Sequence, residues 1–509
     1  MVQNALRQAR RFNFSFQRVM HLEQNESHIC MWFRWLSRDL LVWFLLVSTV
    51  VSGRRFGCPA RVPGVQCYCI EKSRGLDIFC ERSNIDKIRS ILLLVAEQQD
   101  TIMYLKLINN YMGVLAEDIL YGLDIKHLLV HEANISSIHR DAFQDLGDRL
   151  ESLDLSKNHL TEIPTEAFEA LKALVSLNLS LNRITMLRSE SFRGLVSLIR
   201  LTLYGNRLHT LDSAAFLSCG NNLTRLNIGR NNLTRIPAEA LALIAGLQHL
   251  DLHENNITQI ETEHLPEELD KLNLAENQIS EVGAGALKRL TGLVSLDLTR
   301  NNIDFIHPDA FREISGTMEW LKLGFNRLDE VPSEPLRDMI QLRELDLRGN
   351  NISKLESYAF SPFGANLKFL YMMHNRIASL SPEAFANLPH LEWLYLNHNR
   401  LRVLHRSVFE KITDTLVILD VHDNPLDCDC SLSWFYQYAH SSSGKIVVSL
   451  PLETKCSAPS HLKGISFKRL DMACLNSSGN HYNEAERNVA FVITCFINLM
   501  LNHRFFAIS

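Results

Sequence analysis

The sequence predicts an α/β solenoid in which short parallel strands stack into one curved wall. Two periodic signals and one pattern of cysteines support this prediction. An asparagine returns every 22 to 25 residues with one interruption, a phenylalanine follows ten residues later in eight units, and eight cysteines flank the array. The asparagines are Asn110, Asn158, Asn182, Asn206, Asn231, Asn255, Asn277, Asn301, Asn326, Asn350, Asn375, Asn399 and Asn424.

The residues before each asparagine alternate between apolar and variable positions. The unit is LxxLxLxxNxL, as in Leu153, Leu155, Asn158 and Leu160. This alternation is typical of a short strand whose leucines point inward, and strands stacked about 4.8 Å apart form a long parallel sheet. The period and the pattern are those of a leucine-rich repeat, which predicts a curved, horseshoe-shaped solenoid with the sheet on its concave face.

The asparagine has a structural role in this prediction. Its amide can donate to and accept from backbone groups of neighbouring turns, and its loss would cost roughly 1–3 kcal/mol for each buried group left unpaired. Ala133 takes the asparagine position in one repeat, while Leu128, Val130 and Ile135 keep the apolar frame. We therefore count fourteen repeats and expect a looser turn at Ala133.

The phenylalanine signal predicts the side of the core that faces away from the strands. Leu287 and Leu336 take the same position in two further repeats. Because one repeat cannot bury its own apolar face, the array needs a cap at each end. The phenylalanines are Phe143, Phe168, Phe192, Phe216, Phe311, Phe360, Phe385 and Phe409.

Eight of the 11 cysteines lie in two groups of four that flank the repeats. An even number in each flank predicts two disulfides per cap, and the count alone leaves three connectivities in each. Zinc sites are the alternative, but the C-x-C spacing differs from the usual C-x2-C, so we expect no metal. Cys219 occupies an apolar repeat position, where we expect a buried free thiol. The two groups are Cys58, Cys67, Cys69 and Cys80, and Cys428, Cys430, Cys456 and Cys474.

Residues 1–53 are typical of a secretory signal peptide. An apolar run at 40–51 follows a basic segment that begins at Met31, and the small residues Ser52 and Gly53 end it. At about 12 residues the run is short for a membrane span. The region before Met31 is unusually long, which leaves two alternatives: Met31 as the true start, or an uncleaved anchor.

Seven N-x-S/T sequons in the repeats and caps also indicate a secretory route, because N-glycosylation takes place there. Asn178 falls on the predicted concave face, where a glycan would obstruct contact with a partner. The sequons begin at Asn134, Asn178, Asn222, Asn232, Asn256, Asn351 and Asn476.

Residues 476–509 are typical of a signal for a glycosylphosphatidylinositol (GPI) anchor. Small residues, a polar spacer and an apolar run at 489–501 follow one another in that order. We expect attachment at Ser477 or Ser478. Polar residues at 502–504 interrupt the tail, so a plain tail or a short membrane span is the alternative.

Composition and motifs indicate binding rather than catalysis. The formal net charge is −5 and no basic stripe is present, so we expect no nucleic-acid partner. Because G-x-S-x-G, phosphate-loop and H-E-x-x-H motifs are absent, we expect neither enzyme activity nor a cofactor. The histidines His374, His398 and His422 are interpreted as surface positions of the repeats. The predicted segments are a signal (1–53), an N-terminal cap (54–92), about 14 repeats (93–424), a C-terminal cap (425–475) and a tail (476–509).

The flanking segments resemble those of a known group of extracellular proteins. The N-terminal cap begins Cys58-Pro59, and the C-terminal cap reads Asn424-Pro425-Leu426-Asp427-Cys428-Asp429-Cys430, with Trp434, Pro459, Leu462 and Gly464 beyond it. Over about residues 58–474 the chain resembles the extracellular leucine-rich-repeat family with cysteine-rich caps, which includes Slit, the Toll receptors, chaoptin, connectin and the Nogo receptor. The resemblance implies the disulfides Cys58–Cys69, Cys67–Cys80, Cys428–Cys456 and Cys430–Cys474.

The outward positions of neighbouring strands predict a partner-binding surface in the C-terminal half of the concave face. Grouped aromatic residues are typical of an interface, because Trp and Tyr bury a large area at low entropic cost. The alternative is that they lean on one another or on the cap and bind nothing. The residues are Trp320, Phe369, Tyr371, Met373, Trp393 and Tyr395.

We therefore expect a cell-surface glycoprotein that mediates cell adhesion or ligand recognition through its concave face. Its partner is expected to be an extracellular protein or a second copy of the chain, and its contact with the membrane is a lipid anchor or a short tail. The alternative is a secreted, soluble innate-immune recogniser or an enzyme-inhibitory binding protein.

Overall fold

A computed structural model of the chain describes residues 57–60, 63–440, 447–448 and 452–470. The chain divides into two compact units, one formed by Met1–Gly57 with Glu71–Arg74 and the other by Cys58–Ile70 with Gly75–Ser509. The second unit contains nearly all described residues. It is the leucine-rich-repeat solenoid that the sequence predicts, with a long parallel sheet on its concave face.

The sheet has 17 strands, which follow one another in chain order. Every pairing from strand Gly75–Glu81 onward is parallel, and equivalent repeat positions lie opposite each other, as Leu201 does to Leu177 and Leu226. The strands are Cys67–Lys72, Gly75–Glu81, Thr101–Ile108, Asp124–His131, Ser152–Asp154, Ser176–Asn178, Arg200–Thr202, Arg225–Asn227, His249–Asp251, Lys271–Asn273, Ser295–Asp297, Trp320–Lys322, Glu344–Asp346, Phe369–Tyr371, Trp393–Tyr395, Ile418–Asp420 and Val447–Val448.

The segments that return from one strand to the next contain turns, short strand pairs and short helices. The strand pairs are Val114–Leu115 with Ser137–Ile138, Met186–Leu187 with Thr210–Leu211, Glu281–Val282 with Phe305–Ile306, Lys354–Leu355 with Ser379–Leu380, and Leu426–Asp427 with Cys456–Ala458. The α-helices are Ile85–Gln98, Thr165–Phe168, Ala238–Leu241, Arg406–Phe409 and Ser433–His440, and the 3-10 helices are Gln144–Leu146, Arg312–Ile314, Gly364–Asn366, Cys430–Leu432 and Phe467–Arg469.

The only long helix of the described residues, Ile85–Gln98, joins the N-terminal cap to the repeats. The Asn84 side chain caps it by accepting a hydrogen bond from the Asp86 backbone N–H at 2.8 Å. Its apolar face buries Ile88 and Val95 completely. The helix crosses position 92, where the sequence predicted the end of the cap, so the cap and the first repeat share one element.

The asparagine ladder has the geometry that the sequence predicts. Asn182 is representative: its Nδ2 donates to the carbonyls of Leu155 and Leu179, both at 3.0 Å, and its Oδ1 accepts from the Leu160 N–H at 3.0 Å. The same three bonds recur along the repeats. Because each amide ties its own turn to the preceding one, the ladder connects neighbouring repeats as well as stabilising single turns.

The residue directly before each ladder asparagine adopts a left-handed backbone conformation. Lys157, Leu181, Phe325 and His374 all have φ between 54° and 58° at this position, although none is glycine. Such values are uncommon for these residue types. Since the conformation recurs from repeat to repeat, it belongs to the turn of the solenoid and does not mark a functional site.

The looser turn expected at Ala133 is wrong. Ala133 is fully buried, and its backbone carbonyl accepts a hydrogen bond from the Met112 N–H at 3.0 Å, in the place of the missing amide oxygen. The strand that leads into this turn, Asp124–His131, and the strand paired with it, Thr101–Ile108, are eight residues long where most others have three. Their longer pairing supplies backbone hydrogen bonds that the shorter strands cannot make.

The phenylalanine positions fill the core behind the strands, as predicted. All eight phenylalanines are fully buried, as are Leu287 and Leu336, and neighbouring rings lie against each other, with centroids 5.7 Å apart for Phe192 and Phe216. At the C-terminal end Trp434 continues the stack at 5.3 Å from Phe409. Its indole N–H donates to the Leu404 carbonyl at 2.9 Å, which closes the end of the core.

Disulfides close the caps. The structure joins Cys58 to Cys69, Cys67 to Cys80 and Cys428 to Cys456, which are three of the four pairs that the resemblance implies. The fourth, Cys430 with Cys474, lies outside the residues and side chains described. Cys219 is a fully buried free thiol, as expected, and burial raises its pKa to about 12.

Candidate functional site

The aromatic patch, defined as Trp320, Phe369, Tyr371, Met373, Trp393 and Tyr395, is centred on two adjacent strands. Strand Phe369–Tyr371 pairs in parallel with strand Trp393–Tyr395, and the register places Phe369 beside Trp393 and Tyr371 beside Tyr395. The intervening leucines, Leu370 and Leu394, are fully buried. Because side chains alternate across a strand, the aromatic residues on either side of each leucine must face the concave surface.

The rings of the patch contact one another across the two strands. The centroids of Phe369 and Trp393 are 4.7 Å apart at a tilt of 58°, and those of Tyr371 and Tyr395 are 5.3 Å apart and nearly parallel. All four side chains are half-buried. The rings therefore lean on one another and still expose part of their area, while binding of a partner at these residues stays a prediction.

Two members of the patch stand apart from these pairs. Trp320 is separated from Phe369 by strand Glu344–Asp346, a lateral distance of about 10 Å for two strand spacings. Met373 lies beyond Tyr371, at the end of the same repeat's outward face. The structure therefore brings together the four rings of Phe369, Tyr371, Trp393 and Tyr395, with Trp320 as an outlying member.

Carboxylates border the patch on one side. Asp346, opposite Tyr371, is 3% exposed and lies 3.0 Å from the Arg348 Nε, and burial raises its pKa above the ordinary value. Burial, together with the charge of Glu344, raises the pKa of Tyr371 to about 12. The tyrosine hydroxyl therefore stays protonated and available as a hydrogen-bond donor at any physiological pH.

The described sequons lie mainly away from the patch. Asn134, Asn232, Asn256 and Asn351 all directly follow a ladder position, so they share one edge of the repeats, and Asn222 is exposed. Asn178 alone lies within a concave strand, as expected. Beyond Asn351, the described residues of the C-terminal half contain no sequon, so none falls on the strands Phe369–Tyr371 and Trp393–Tyr395.

A group of histidines and carboxylates borders the patch at the C-terminal end of the sheet. His398 Nε2 lies 3.4 Å and His422 Nε2 lies 3.7 Å from Asp423 Oδ2, and the His374 and His398 rings stack with centroids 4.2 Å apart. The sequence predicts surface positions for these histidines, which is right for the exposed His374 and His398 but wrong for His422, which is buried with its ring held against Asp420. The group can be recognised by comparing equivalent positions of neighbouring repeats. His398 and Asp423 each lie one residue before a ladder asparagine, and His422 lies two residues before one, so the stacking of the repeats brings the three together.

The predicted lipid-attachment residues, Ser477 and Ser478, and the sequon Asn476 lie outside the described residues. Within the part of the chain that the structure describes, none of the helices has the length and apolarity that crossing a membrane requires.

Comparison with known families identifies the repeats. The family model described as leucine rich repeat matches residues 148–208, 198–257, 267–316, 316–377 and 365–426, and a second model of that description matches 246–272. The matched region, 148–426, is more than half of the 509 residues.

Curated relatives match a limited part of the chain. Leucine-rich repeat-containing protein 3B of Danio rerio is 31% identical over 144 residues, which are 28% of this chain and 54% of the relative. Leucine-rich repeat-containing protein 3 of Danio rerio is 28% identical over 137 residues, 26% of this chain and 47% of the relative. This chain thus spans about half the length of the curated relatives that it matches.

Solved structures share the fold. The protein of the TLR13–ssRNA13 complex is 24% identical with a TM-score of 0.62, and the match covers 77% of this chain and 59% of that one. The Toll–Spatzle complex of Drosophila gives 23% identity and a TM-score of 0.56 over 76% and 53% of the two chains. An LRR protein of Leptospira interrogans gives 23% and 0.54 over 70% and 91%. At these identities the likeness concerns the fold alone.

Proposed function

Because the chain belongs to the leucine-rich repeat family, we propose that it is a cell-surface or secreted protein that recognises a protein ligand with its concave face. Its role is cell adhesion or ligand recognition. The proposal rests on one observation, the pairing of Phe369 with Trp393 and of Tyr371 with Tyr395 on adjacent strands of the concave sheet.

The aromatic patch is suited to binding because it is preorganised. Each ring rests on its neighbour and each strand is fixed by the parallel sheet, so little conformational freedom remains to be lost when a partner docks. The half-buried rings still expose apolar area, and covering that area releases water. Tyrosine and tryptophan in this setting are the residue types that most often dominate binding energy.

The surroundings of the patch favour a partner with basic and apolar groups. Glu344 and Asp346 lie on the strand beside Phe369 and Tyr371. Asp346 is buried against Arg348, so a lysine or arginine of the partner would meet the half-buried Glu344 carboxylate at this edge and aromatic ring faces next to it, both of which attract cations. The net charge of −5 also favours a protein partner over a nucleic acid.

The covalent features support a location outside the cytosol. Disulfides such as Cys428–Cys456 persist in oxidising compartments, and the predicted signal segment and sequons fit the same route. One of the similar structures is a complex of Toll with Spatzle, so a protein ligand is compatible with the fold.

Attachment through a GPI anchor at Ser477 or Ser478 is the finer part of the proposal. It predicts that phosphatidylinositol-specific phospholipase C releases the protein from the surface of expressing cells. Protein that is found in the culture medium without this treatment would favour the secreted alternative, an innate-immune recogniser or an enzyme inhibitor.

The patch is tested with cells that express the full chain and a panel of purified extracellular domains that includes this chain's own. We expect Trp393→Ala and Tyr371→Ala each to weaken the binding of a positive partner by about 2 kcal/mol, or roughly thirtyfold, which is typical of central aromatic residues in interfaces. The readout is the partner concentration at half-maximal cell staining, corrected for surface expression.

Phe305→Ala is the matched control, because Phe305 is an aromatic residue with 51% exposure on the short strand pair away from the concave sheet. It should leave the binding constant unchanged. Equal binding by the wild type, Trp393→Ala and Tyr371→Ala would rule out the aromatic patch as the interface.

A further inference from the structure

Three potential metal ligands converge on one point at the C-terminal end of the concave sheet. The ligand atoms of His398, His422 and Asp423 all lie within 4.8 Å of one another. Both imidazole Nε2 atoms face the same carboxylate oxygen, at 3.4 Å from His398 and 3.7 Å from His422. Three converging groups of this kind form the side-chain set of an open tetrahedral site, in which the fourth position belongs to water or another ligand.

The distances fit a zinc ion. Zinc binds imidazole nitrogen and carboxylate oxygen at about 2.0–2.2 Å, so two ligand atoms of a tetrahedron stand about 3.3–3.5 Å apart. The His398–Asp423 separation of 3.4 Å already lies in this range. The His422–Asp423 separation exceeds it by a few tenths of an ångström. His398 and Asp423 are exposed, with room to make this adjustment.

His422 is held in the orientation and tautomer that a ligand requires. Its Nδ1 lies 2.6 Å from Asp420 Oδ1, so the imidazole donates its proton there and leaves the Nε2 lone pair free on the side of Asp423. Asp420 is 4% exposed and His422 is 9% exposed. A buried carboxylate behind a histidine is the arrangement that orients metal-binding imidazoles.

The neighbouring turns fix the second imidazole. The His398 backbone N–H donates to the His422 carbonyl at 3.0 Å, and the His398 ring stacks on His374. Asn397 occupies the repeat position equivalent to Met373 and His422, on the repeat between them. Its buried amide oxygen has no hydrogen-bond donor among the described residues. A metal-bound water is a donor of the kind that this oxygen lacks.

The donor set selects the metal. Two imidazoles and one carboxylate suit zinc and similar transition ions, whereas calcium and magnesium prefer oxygen ligands throughout. We propose that His398, His422 and Asp423 bind one zinc ion, with Asp420 as the residue that positions His422. This departs from the sequence analysis, which predicted no metal.

A second histidine in the same sheet provides a matched control. His253 Nδ1 lies 2.5 Å from Asp251 Oδ1 and its Nε2 lies 3.6 Å from Glu254 Oε1, which repeats the local arrangement of His422 with Asp420 and Asp423. The residue equivalent to His398 is Arg230, whose Nε lies 3.4 Å from Glu254 Oε2, and the neighbouring repeats have Gly229 and Ala275 at the position of His253. Since no second imidazole stands beside it, this group should not hold zinc.

The test is calorimetric titration of the secreted, disulfide-bonded full chain, purified without a histidine tag, with Zn²⁺ alone. We expect one zinc ion per chain in the wild type and in His253→Ala, and no such binding event in His398→Ala. Asp420→Asn should bind at least about tenfold more weakly than the wild type. His398 is exposed, so its variant should fold, which circular dichroism verifies.

Cobalt supplies an independent readout. The visible spectrum of bound Co²⁺ should be that of a tetrahedral site in the wild type and should disappear in His398→Ala. Zinc binding that survives in His398→Ala would overturn the proposal, as would a wild type that binds no zinc. Loss of zinc in His139→Ala alone would also overturn it, because that result would place the ion at the exposed Glu117, His139 and Asp141 group.

Discussion

The two halves of the concave face share one backbone and differ in their surface chemistry. In the N-terminal half, Asn178 Nδ2 donates to Asp154 Oδ2 at 2.9 Å, and Asn178 Oδ1 accepts from the Ser180 N–H at 3.0 Å and from its hydroxyl at 2.6 Å. In the C-terminal half, Tyr371 and Tyr395 occupy the position of Asn178 and contact each other through their rings.

The difference shows how one frame serves two purposes. Polar side chains that satisfy one another, such as Asn178 and Asp154, lose hydration when a partner covers them and gain few new hydrogen bonds. Half-exposed rings gain free energy when they are covered, because apolar area leaves water. Under the proposed function, the outward-facing residues of the strands determine which half of the sheet binds, while the leucines and asparagines that build the sheet are the same in both halves.

The largest effect is expected when the sequon Asn178-Leu179-Ser180 of the N-terminal half is copied into the C-terminal half. The double substitution Asp346→Asn with Arg348→Ser places the sequon Asn-Leu-Ser beside Tyr371, at the repeat positions of Asn178, Leu179 and Ser180. We expect glycosylation at position 346 to abolish partner binding, because the sugar would stand next to the aromatic patch. The measurement is cell-surface staining with the partner domain, alongside mass spectrometry of the glycan.

The control for this transfer is the same substitution at position 346 without the sequon. Asp346→Asn combined with Arg348→Ala removes the same ion pair, which joins Arg348 Nε and Asp346 Oδ2 at 3.0 Å, and adds no sugar. It should retain most of the binding. Full partner binding by the variant that carries a glycan at position 346 would exclude the C-terminal half of the concave face.

The asparagine ladder should contribute equally to both halves. Asn182 and Asn375 each make three hydrogen bonds of 2.9 to 3.1 Å to buried backbone groups. We expect Asn182→Ala and Asn375→Ala each to lower the free energy of unfolding by about 3 kcal/mol, since several buried groups lose their partners. The measurement is denaturant-induced unfolding, with the exposed Arg376→Ala as the control. A clear difference between the two variants would show that the frame is not uniform.

The frame could be predicted from the sequence because its signals are local and repeated. The spacing of Leu153, Leu155 and Asn158 determines strand, inward face and turn within a few residues, and the period then gives the parallel stacking. The period also predicts which residues of neighbouring repeats lie side by side, which is why Phe369 could be placed beside Trp393. Whether the rings lean on one another remained one of two alternatives, because ring orientation depends on side-chain packing across strands.

Two features escaped prediction because they depend on groups that the repeat pattern does not contain. The turn at Ala133 is closed by its own backbone carbonyl, and every residue has such a group, so no sequence signal marks it. The histidine group depends on Asp420, the last residue of its strand, which orients His422 in the turn two positions later. A histidine at a surface position gives no sign of this orientation unless the outward columns are considered together.

The smallest effect concerns the centre of the wall, where the two halves meet. A hydrogen bond to Asp251 raises the pKa of His253, whereas burial lowers the pKa of His249 on the same repeat. The raised value means that the stabilisation from His253 is fully present below its unfolded pKa of about 6.5 and is lost as pH rises through the folded value. For His249 the sign is opposite, so its stabilisation is present above about 6.5 and is lost as pH falls.

Unfolding of His253→Gln and His249→Gln between pH 5 and pH 8 measures these two contributions. Relative to the wild type, His253→Gln should be most destabilised at the acidic end, and the difference should shrink as pH rises. The stability of His249→Gln relative to the wild type should rise as pH falls, because the variant lacks an imidazole that is harder to protonate in the folded state than in the unfolded state. Both side chains are partly open to solvent, so the shifts should be small. If the curves of both variants run parallel to that of the wild type, neither histidine is coupled to its surroundings as the structure indicates.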